Sequence, residues 1–277
     1  MSASNPSSSK LTLSHNKKRL FKPEKLTAPR NFTIPNFVSN RLKTDAVVKP
    51  ATINNVNHAI KLDDYSRPLI VEIGAGKGMH ACLYAKKYPK HDLIAIERTE
   101  NKFSAFSNMM QSVNNEVARL DNLVAVHADA IPYCVYAIPA QSVSVFYLLY
   151  PNPEPKNSNQ QWLNMPFFEF LLSRLKPNGK VILASNINEY VDNGKVILAS
   201  NINEYVDNAY HQSIDTWCLK TKRAEVPLES KRTHFEIKYL ARGETCWQLD
   251  MIKPAKYHTR FDTWNSSFIL ENVDNNT

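Results

Sequence analysis

No run in the 277-residue chain approaches the roughly 18 uninterrupted apolar residues that a membrane span requires, and no apolar block with a small-residue cleavage site opens it. A soluble, unsecreted, cytoplasmic protein without a membrane partner is therefore expected. Cysteine is scarce as well. Cys82, Cys134, Cys218 and Cys246 stand singly, with no CxxC pair and no disulfide-type spacing, so they read as reduced, inert thiols and no metal site is expected. Acidic residues are nearly missing where basic ones gather. Residues 1–50 hold ten Lys or Arg against Glu24 and Asp45, so the whole net charge of +8 sits in this leader and the rest of the chain is neutral. The leader is Ser-, Asn- and Pro-rich without a sustained apolar period, and is expected to be disordered. Such an arm suits RNA phosphates, because Lys and Arg displace condensed counterions without a fixed fold. A solubilising arm or an organelle transit segment has the same composition.

The remainder has ordinary globular composition, 43% hydrophobic and 22% charged over the chain. Residues 68–74 (PLIVEIG) form a continuous apolar run ending in glycine, as a strand buried on both faces of a parallel sheet does. A short helix over 79–88 and a second buried strand, LIAIE at 93–97, follow. Phe103, Phe106, Met110, Val113, Val117 and Leu120 recur at three and four spacing, which marks the core face of a helix. Strands at 123–129 and 142–150 and a helix at 167–175 opened by Pro166 continue the alternation. The expected fold is α/β and Rossmann-like: a mostly parallel seven-stranded sheet whose ligands sit beyond the carboxyl ends of its strands. Residues 233–241 and 245–253, flanking Arg242-Gly243-Glu244, read as a closing antiparallel hairpin. The main domain is thus expected over 51–253, and 254–277 is a tail without a usable pattern.

A tandem repeat interrupts this plan. NGKVILASNINEYVD fills 178–192 and again 193–207, identical at all fifteen positions. One copy must supply the fifth strand and the other is surplus. Copy two is favoured as the strand, which places the insertion ahead of it, on the side away from the ligand, where loop length is cheap.

Glu72-Ile73-Gly74-Ala75-Gly76-Lys77-Gly78 joins the first strand to its helix, and glycines there let backbone approach a ligand closely. Glu97 ends the second strand, 19 residues after Gly78, where an acid can accept both ribose hydroxyls. Asp129 ends the third, where a carboxylate can take the amino hydrogen of adenine. Together they describe a nucleoside site. A dinucleotide would require GxGxxG and a pyrophosphate, and Glu72 would repel the pyrophosphate but attract the cationic sulfonium and amino group of S-adenosylmethionine.

After the fourth strand comes Tyr150-Pro151-Asn152-Pro153-Glu154-Pro155-Lys156, a proline-stiffened loop where a methyl acceptor must face the sulfonium. With VEIGAGKG, AIE, ADA, YPNPEPK, ASN and Thr233-His234-Phe235-Glu236 in order, the stretch 68–253 resembles the tRNA (guanine-N7)-methyltransferases. That resemblance implies a class I methyltransferase that uses S-adenosyl-L-methionine on a variable-loop guanine of tRNA. It implies Glu72, Gly74, Gly76, Gly78, Glu97 and Asp129 on the cofactor, and Lys156, Thr233 and Glu236 on the guanine. Two aspartates of the family pattern are replaced, by Asn152 in the catalytic position and by Asn186 or Asn201 at the end of the fifth strand. The basic run after the proline loop is replaced by residues 157–161. Another nitrogen acceptor in RNA or protein, and a catalytically silent RNA-binding homologue, stay open. So do monomer and homodimer.

Overall fold

The computed structural model describes residues 20–30, 32–39, 67–116, 120–151, 161–186, 191–192, 195–196 and 200–274. Helix α1 (Asn36–Ser39) precedes the sheet. Then β1 (Leu69–Ile73), α2 (Met79–Lys87), β2 (Asp92–Glu97), α3 (Glu100–Glu116), β3 (Leu123–His127), α4 (Ala130–Ala137) and β4 (Val143–Leu149) alternate. Helix α5 (Phe167–Arg174) leads into β5 (Leu175–Asn186), and a small ladder pairs β6 (Val191–Asp192) with β7 (Lys195–Val196). Helix α6 (Ser200–Asp215), β8 (Lys220–Glu225), α7 (His234–Leu240), β9 (Cys246–Ile252) and α8 (Ser267–Asp274) complete the order. Among the described residues no helix is long and apolar enough to cross a membrane.

The main sheet runs β3-β2-β1-β4-β5-β9-β8, with the first five strands mutually parallel and β9 antiparallel to both β5 and β8. Every residue of β1 and β2 is buried, which is why these strands read as unbroken apolar runs. Alternation within β1 splits the core. Leu69, Val71 and Ile73 join the layer formed with α4 and α5, while Ile70 packs with Ala81, Ala85 and Phe106 of α2 and α3. The chain steps from β1 outward to β3 and then returns to β4 on the other side of β1. This reversal opens a crevice at the carboxyl ends of β1 and β4.

Four expectations change. The closing antiparallel pair is β8 with β9, not 233–241 with 245–253: Thr233 caps α7, its Oγ1 accepting the Glu236 N–H at 3.0 Å. This is the first half of a capping box, and it outweighs the strand-like alternation of FEIKYL. The strand is copy one of the repeat, not copy two. Leu175, which pairs with Val143 and is fully buried, stands only ahead of copy one, and the helical continuation through Ala209 stands only after copy two. The surplus residues therefore join β5 to α6, on the crevice side of the sheet.

The leader is not wholly unstructured. Phe21 packs against Phe167 and Phe170 at 5.4 and 5.3 Å, and Tyr133 Oη donates to Thr33 O at 3.3 Å. Residues 1–19 and 40–66 lie outside the described residues. The C-terminal segment is likewise a strap rather than a loose tail. Arg174, fully buried, donates to Ile138 O at 3.1 Å and to Phe261 O and Trp264 O at 2.8 Å each. Asn265 Oδ1 accepts the Ala140 N–H at 2.9 Å. Burial brings the Arg174 guanidinium down to about 9. All four cysteines are free, and burial pushes Cys134 up to about 12, consistent with an inert thiol.

Candidate active site

The turn after β1 is fastened to the neighbouring strand, with the N–H groups of Gly74 and Ala75 both donating to Ile96 O at 2.9 Å. Gly74 and Gly76 take φ of +77° and +60°, and nothing lies within 4 Å of where their Cβ atoms would stand. Both face a cleft of about 760 Å³, within the usual range of small-molecule sites. Gly78 differs. It also has a left-handed φ, +80°, but it lies off the cleft wall, and a Cβ there would fall 1.9 Å from Cδ2 of Phe106. Gly78 therefore has a packing role between α2 and α3 that a side chain would disrupt.

Glu97 reaches the cleft from the end of β2, only 5% exposed. Its Oε2 accepts the Gly76 N–H at 2.8 Å and its Oε1 the Thr99 N–H at 2.7 Å. These bonds fix the carboxylate while leaving each oxygen a second lone pair for an incoming hydroxyl. Asp129 caps α4 by accepting the Ile131 N–H at 2.9 Å, and it is exposed on the same wall with lone pairs to spare. Glu72 is buried in the floor and hydrogen-bonded to His80 Nδ1 at 2.9 Å. A carboxylate only accepts, so Nδ1 carries the proton of this bond. Glu72 thus reaches the cleft as one half of a Glu72–His80 pair, with the imidazole edge-on to Tyr147 at 4.7 Å. His80 carried no signal in the sequence, because its distance from Glu72 depends on how the turn places α2 over β1.

At the other end Tyr150, Pro151, Trp162, Met165 and Phe235 form an apolar and aromatic wall, with Thr233 beside them. Phe235 is 45% exposed although large and apolar. Tyr150 takes a left-handed φ of +51° immediately before the proline loop. Asn152 and Lys156 lie outside the described residues. Asn186 ends β5 opposite Cys246 and Asn201 lies in α6, and the side chains of both fall outside the described residues.

Glu236 is brought next to this wall but is fully buried behind it. Its carboxylate accepts from Tyr150 Oη at 2.9 Å, from Arg232 Nη2 at 2.7 Å, from Arg232 Nε and N at 3.1 Å, and from Ser230 Oγ. Burial works against its charge, but the bonds from Arg232 and Ser230 outweigh that and hold the carboxyl below its ordinary value. For Tyr150 burial leads, with Cys246 and the Glu236 charge adding to it, and the phenol is pushed well above its ordinary range. Arg232 and Ser230 were not singled out by sequence, although Arg232 stands at i,i+4 spacing ahead of Glu236, and Tyr150 was read only as the start of the proline loop.

A family model described as "Putative methyltransferase" matches residues 66–249. A tRNA (guanine-N(7)-)-methyltransferase of Lactobacillus gasseri is 32% identical over 133 residues, 47% of this chain and 58% of that protein. One from Nitrosospira multiformis is 27% identical over 129 residues, 46% and 54% of the two chains. This chain thus spans somewhat over half the length of these curated relatives. Among solved structures, a variant of the 16S rRNA (adenine(1408)-N(1))-methyltransferase from Catenulisporales acidiphilia aligns with a TM-score of 0.51 at 13% identity. The alignment covers 72% of this chain and 96% of that one, a likeness of fold. The glycine turn, the strand-end carboxylates and the sheet up to the first residues of β9 fall within the matched span, and the chain belongs to this methyltransferase family.

Proposed function

We propose that this protein transfers a methyl group from S-adenosyl-L-methionine to N7 of a guanine in tRNA, the variable-loop guanine being the one the family resemblance implies. The observation that carries the reading is the two-ended cleft. Carboxylates and open glycines crowd one end, and an aromatic wall lines the other. At the first end we assign the ribose hydroxyls to Glu97 and the adenine amino group to Asp129. The Gly74–Gly76 backbone is open enough for close approach, and the Glu72–His80 pair keeps an acid near the amino-acid portion. Bound there, the cofactor supplies an electrophilic methyl group. At the second end Trp162 and Phe235 offer faces to a base, and stacking of this kind contributes about 1–3 kcal/mol. Lys77, Arg98 and Lys102 on the rim match RNA phosphates.

Guanine N7 carries a free lone pair at neutral pH, so no strong base is required. The work left to the chain is to hold the ring in line and stabilise the charge that develops on it. Asn152 and Lys156, in the loop after β4, are the residues we assign to that task together with Thr233. An asparagine accepts hydrogen bonds at one end only, so Asn152→Asp should raise turnover, about 10-fold for each roughly 1.4 kcal/mol gained. The test is to incubate unmodified tRNA with labelled cofactor and identify the product nucleoside. 7-Methylguanosine, formed faster by Asn152→Asp, is expected. A different methylated nitrogen would move the reading to another acceptor, and cofactor binding without methylation to a silent RNA-binding homologue.

A further inference from the structure

We propose that Glu236 is a positioning residue that ties the loop leaving β4 to the first turn of α7, and that it does this instead of touching the acceptor base. Its kinetic arm rests on the methyl-transfer reading above. An ionised carboxylate has about four lone-pair positions and no proton to give. Glu236 already receives the Tyr150 hydroxyl, the Ser230 hydroxyl, the Arg232 backbone N–H and two guanidinium N–H groups of Arg232. No acceptor position remains for the N1 and N2 edge of a guanine, and the side chain is fully buried. To reach a base it would have to break the Arg232 pair inside the protein, which leaves a buried charge uncompensated.

The same contacts have an evident mechanical use. Arg232 Nη1 donates to Gln248 Oε1 at 2.6 Å, so the clamp is anchored to β9 as well as to α7. On the other side Tyr150 is held in a left-handed conformation at φ +51°, which an L side chain adopts only under constraint. Its N–H bonds to Ala184 O at 2.8 Å and its hydroxyl to Glu236 at 2.9 Å, so both ends of this residue are pinned. Tyr150 immediately precedes Pro151 and Asn152, and Glu236 immediately follows Phe235. The clamp therefore fixes where Tyr150 and Pro151 stand relative to Phe235 in the aromatic wall, and Arg232 cancels the carboxylate charge while it does so.

Two measurements test this on the full-length protein. Hydrogen exchange of Tyr150→Phe should show the amides of 148–150 and of 236–240 accelerating together, by about 10-fold or more, with β2 unchanged. Acceleration of one segment alone overturns the clamp. The second measurement compares tRNA bearing guanosine or inosine, which lacks the N2 amino group, at the acceptor position. Glu236→Gln and Tyr150→Phe should each slow methylation by the same factor, within about twofold, on both acceptors, with unchanged cofactor affinity. If Glu236→Gln instead erases a guanosine-over-inosine preference, Glu236 contacts the base and the inference is wrong. Should the unaltered protein make no 7-methylguanosine, the functional reading falls and the exchange result alone decides the clamp.

Discussion

Gly78→Ala should unfold the protein more readily while Gly76→Ala should empty its cleft, although the two glycines are two residues apart in one turn. At Gly78 the backbone sits at φ +80°, and a left-handed conformation costs an alanine about 1–2 kcal/mol. The added Cβ also meets the Phe106 ring at 1.9 Å, and that ring is fully buried, so the α2–α3 packing must shift at a further cost of about 1–3 kcal/mol. The expected loss is about 2–5 kcal/mol, a large part of the roughly 5–15 kcal/mol that stabilises a typical domain. Gly76→Ala carries only the backbone cost, because nothing lies within 4 Å of its Cβ position. That methyl instead projects into the cleft beside Glu97. Urea unfolding would be read as a change of midpoint at constant slope, with cofactor affinity followed by calorimetry on the folded proteins. Adding Phe106→Leu to Gly78→Ala should recover the clash portion, a coupling of about 1–3 kcal/mol in a double-mutant cycle. A Gly78→Ala protein of normal stability that has lost cofactor affinity would refute the packing assignment, as would a cycle without coupling.

Glu97→Ala removes a carboxylate presented to the cleft and should cost at least about 1.5 kcal/mol of cofactor affinity by calorimetry; unchanged binding would end its assignment. Removing residues 1–19, which carry Lys10, Lys17, Lys18 and Arg19 and no acid, spares the docked Phe21 and should lower the salt slope of tRNA binding by up to about three. An unaltered slope would make this arm a bystander. The Glu236 carboxyl is held below its ordinary value of 4.5 in the folded protein. Its pairing therefore adds stability that is present at neutral pH, begins to fall as the pH drops past about 4.5, and is gone only below the depressed folded value. The stability gap between the unaltered protein and Glu236→Gln, followed by urea midpoints, should narrow on acidification, and a gap that stays constant contradicts the linkage.

The parallel half of the fold was legible because strands buried on both faces leave no choice of residue: LIVEI and DLIAIE are apolar almost throughout. The α3 stripe was legible for the matching reason over Phe103, Phe106, Met110 and Val113, with Phe106 fully buried and the others half-buried; Val117 lies outside the described residues and Leu120 beyond the end of the helix. The edge of the sheet was not. KTKRAE forms β8 with five charged or exposed positions and no apolar alternation, as an edge strand protected by lysine does, so its pairing with β9 shows only in three dimensions. Helix α4, AIPYCVYA, looks like neither element locally and owes its start to the Asp129 cap. In the site, the strand-end acids and the open glycines could be named in advance because each is tied to a sequence position at the end of a strand. The partners that define their chemistry could not. Tyr150 meets Glu236 across 86 residues and His80 meets Glu72 through the packing of α2 over β1, whereas Arg232 lies only four residues from Glu236, at i,i+4 spacing.

The duplicated fifteen residues make the chain degenerate in a topological sense. Excising 178–192 or 193–207 yields one and the same shorter sequence, in which the VILAS of a single unit continues β5 and its NEYVD opens α6. In the full chain the repeat admits two threadings on paper: one with the extra unit after β5, as found, and one with it before. Both place the same side chains against Met251 and Leu249 of β9, so the sheet itself cannot tell them apart. Only what flanks the repeat discriminates, Leu175 and the turn through Lys176 on one side and the helix running on to Asp215 on the other. A change to the second threading would have to withdraw a central strand hydrogen-bonded on both edges, so the repeat writes a competing arrangement into an otherwise consistent sequence. Val181→Asp should therefore not abolish folding outright but divert the chain to the second threading, whereas excising one unit should leave a single species that refolds in one phase.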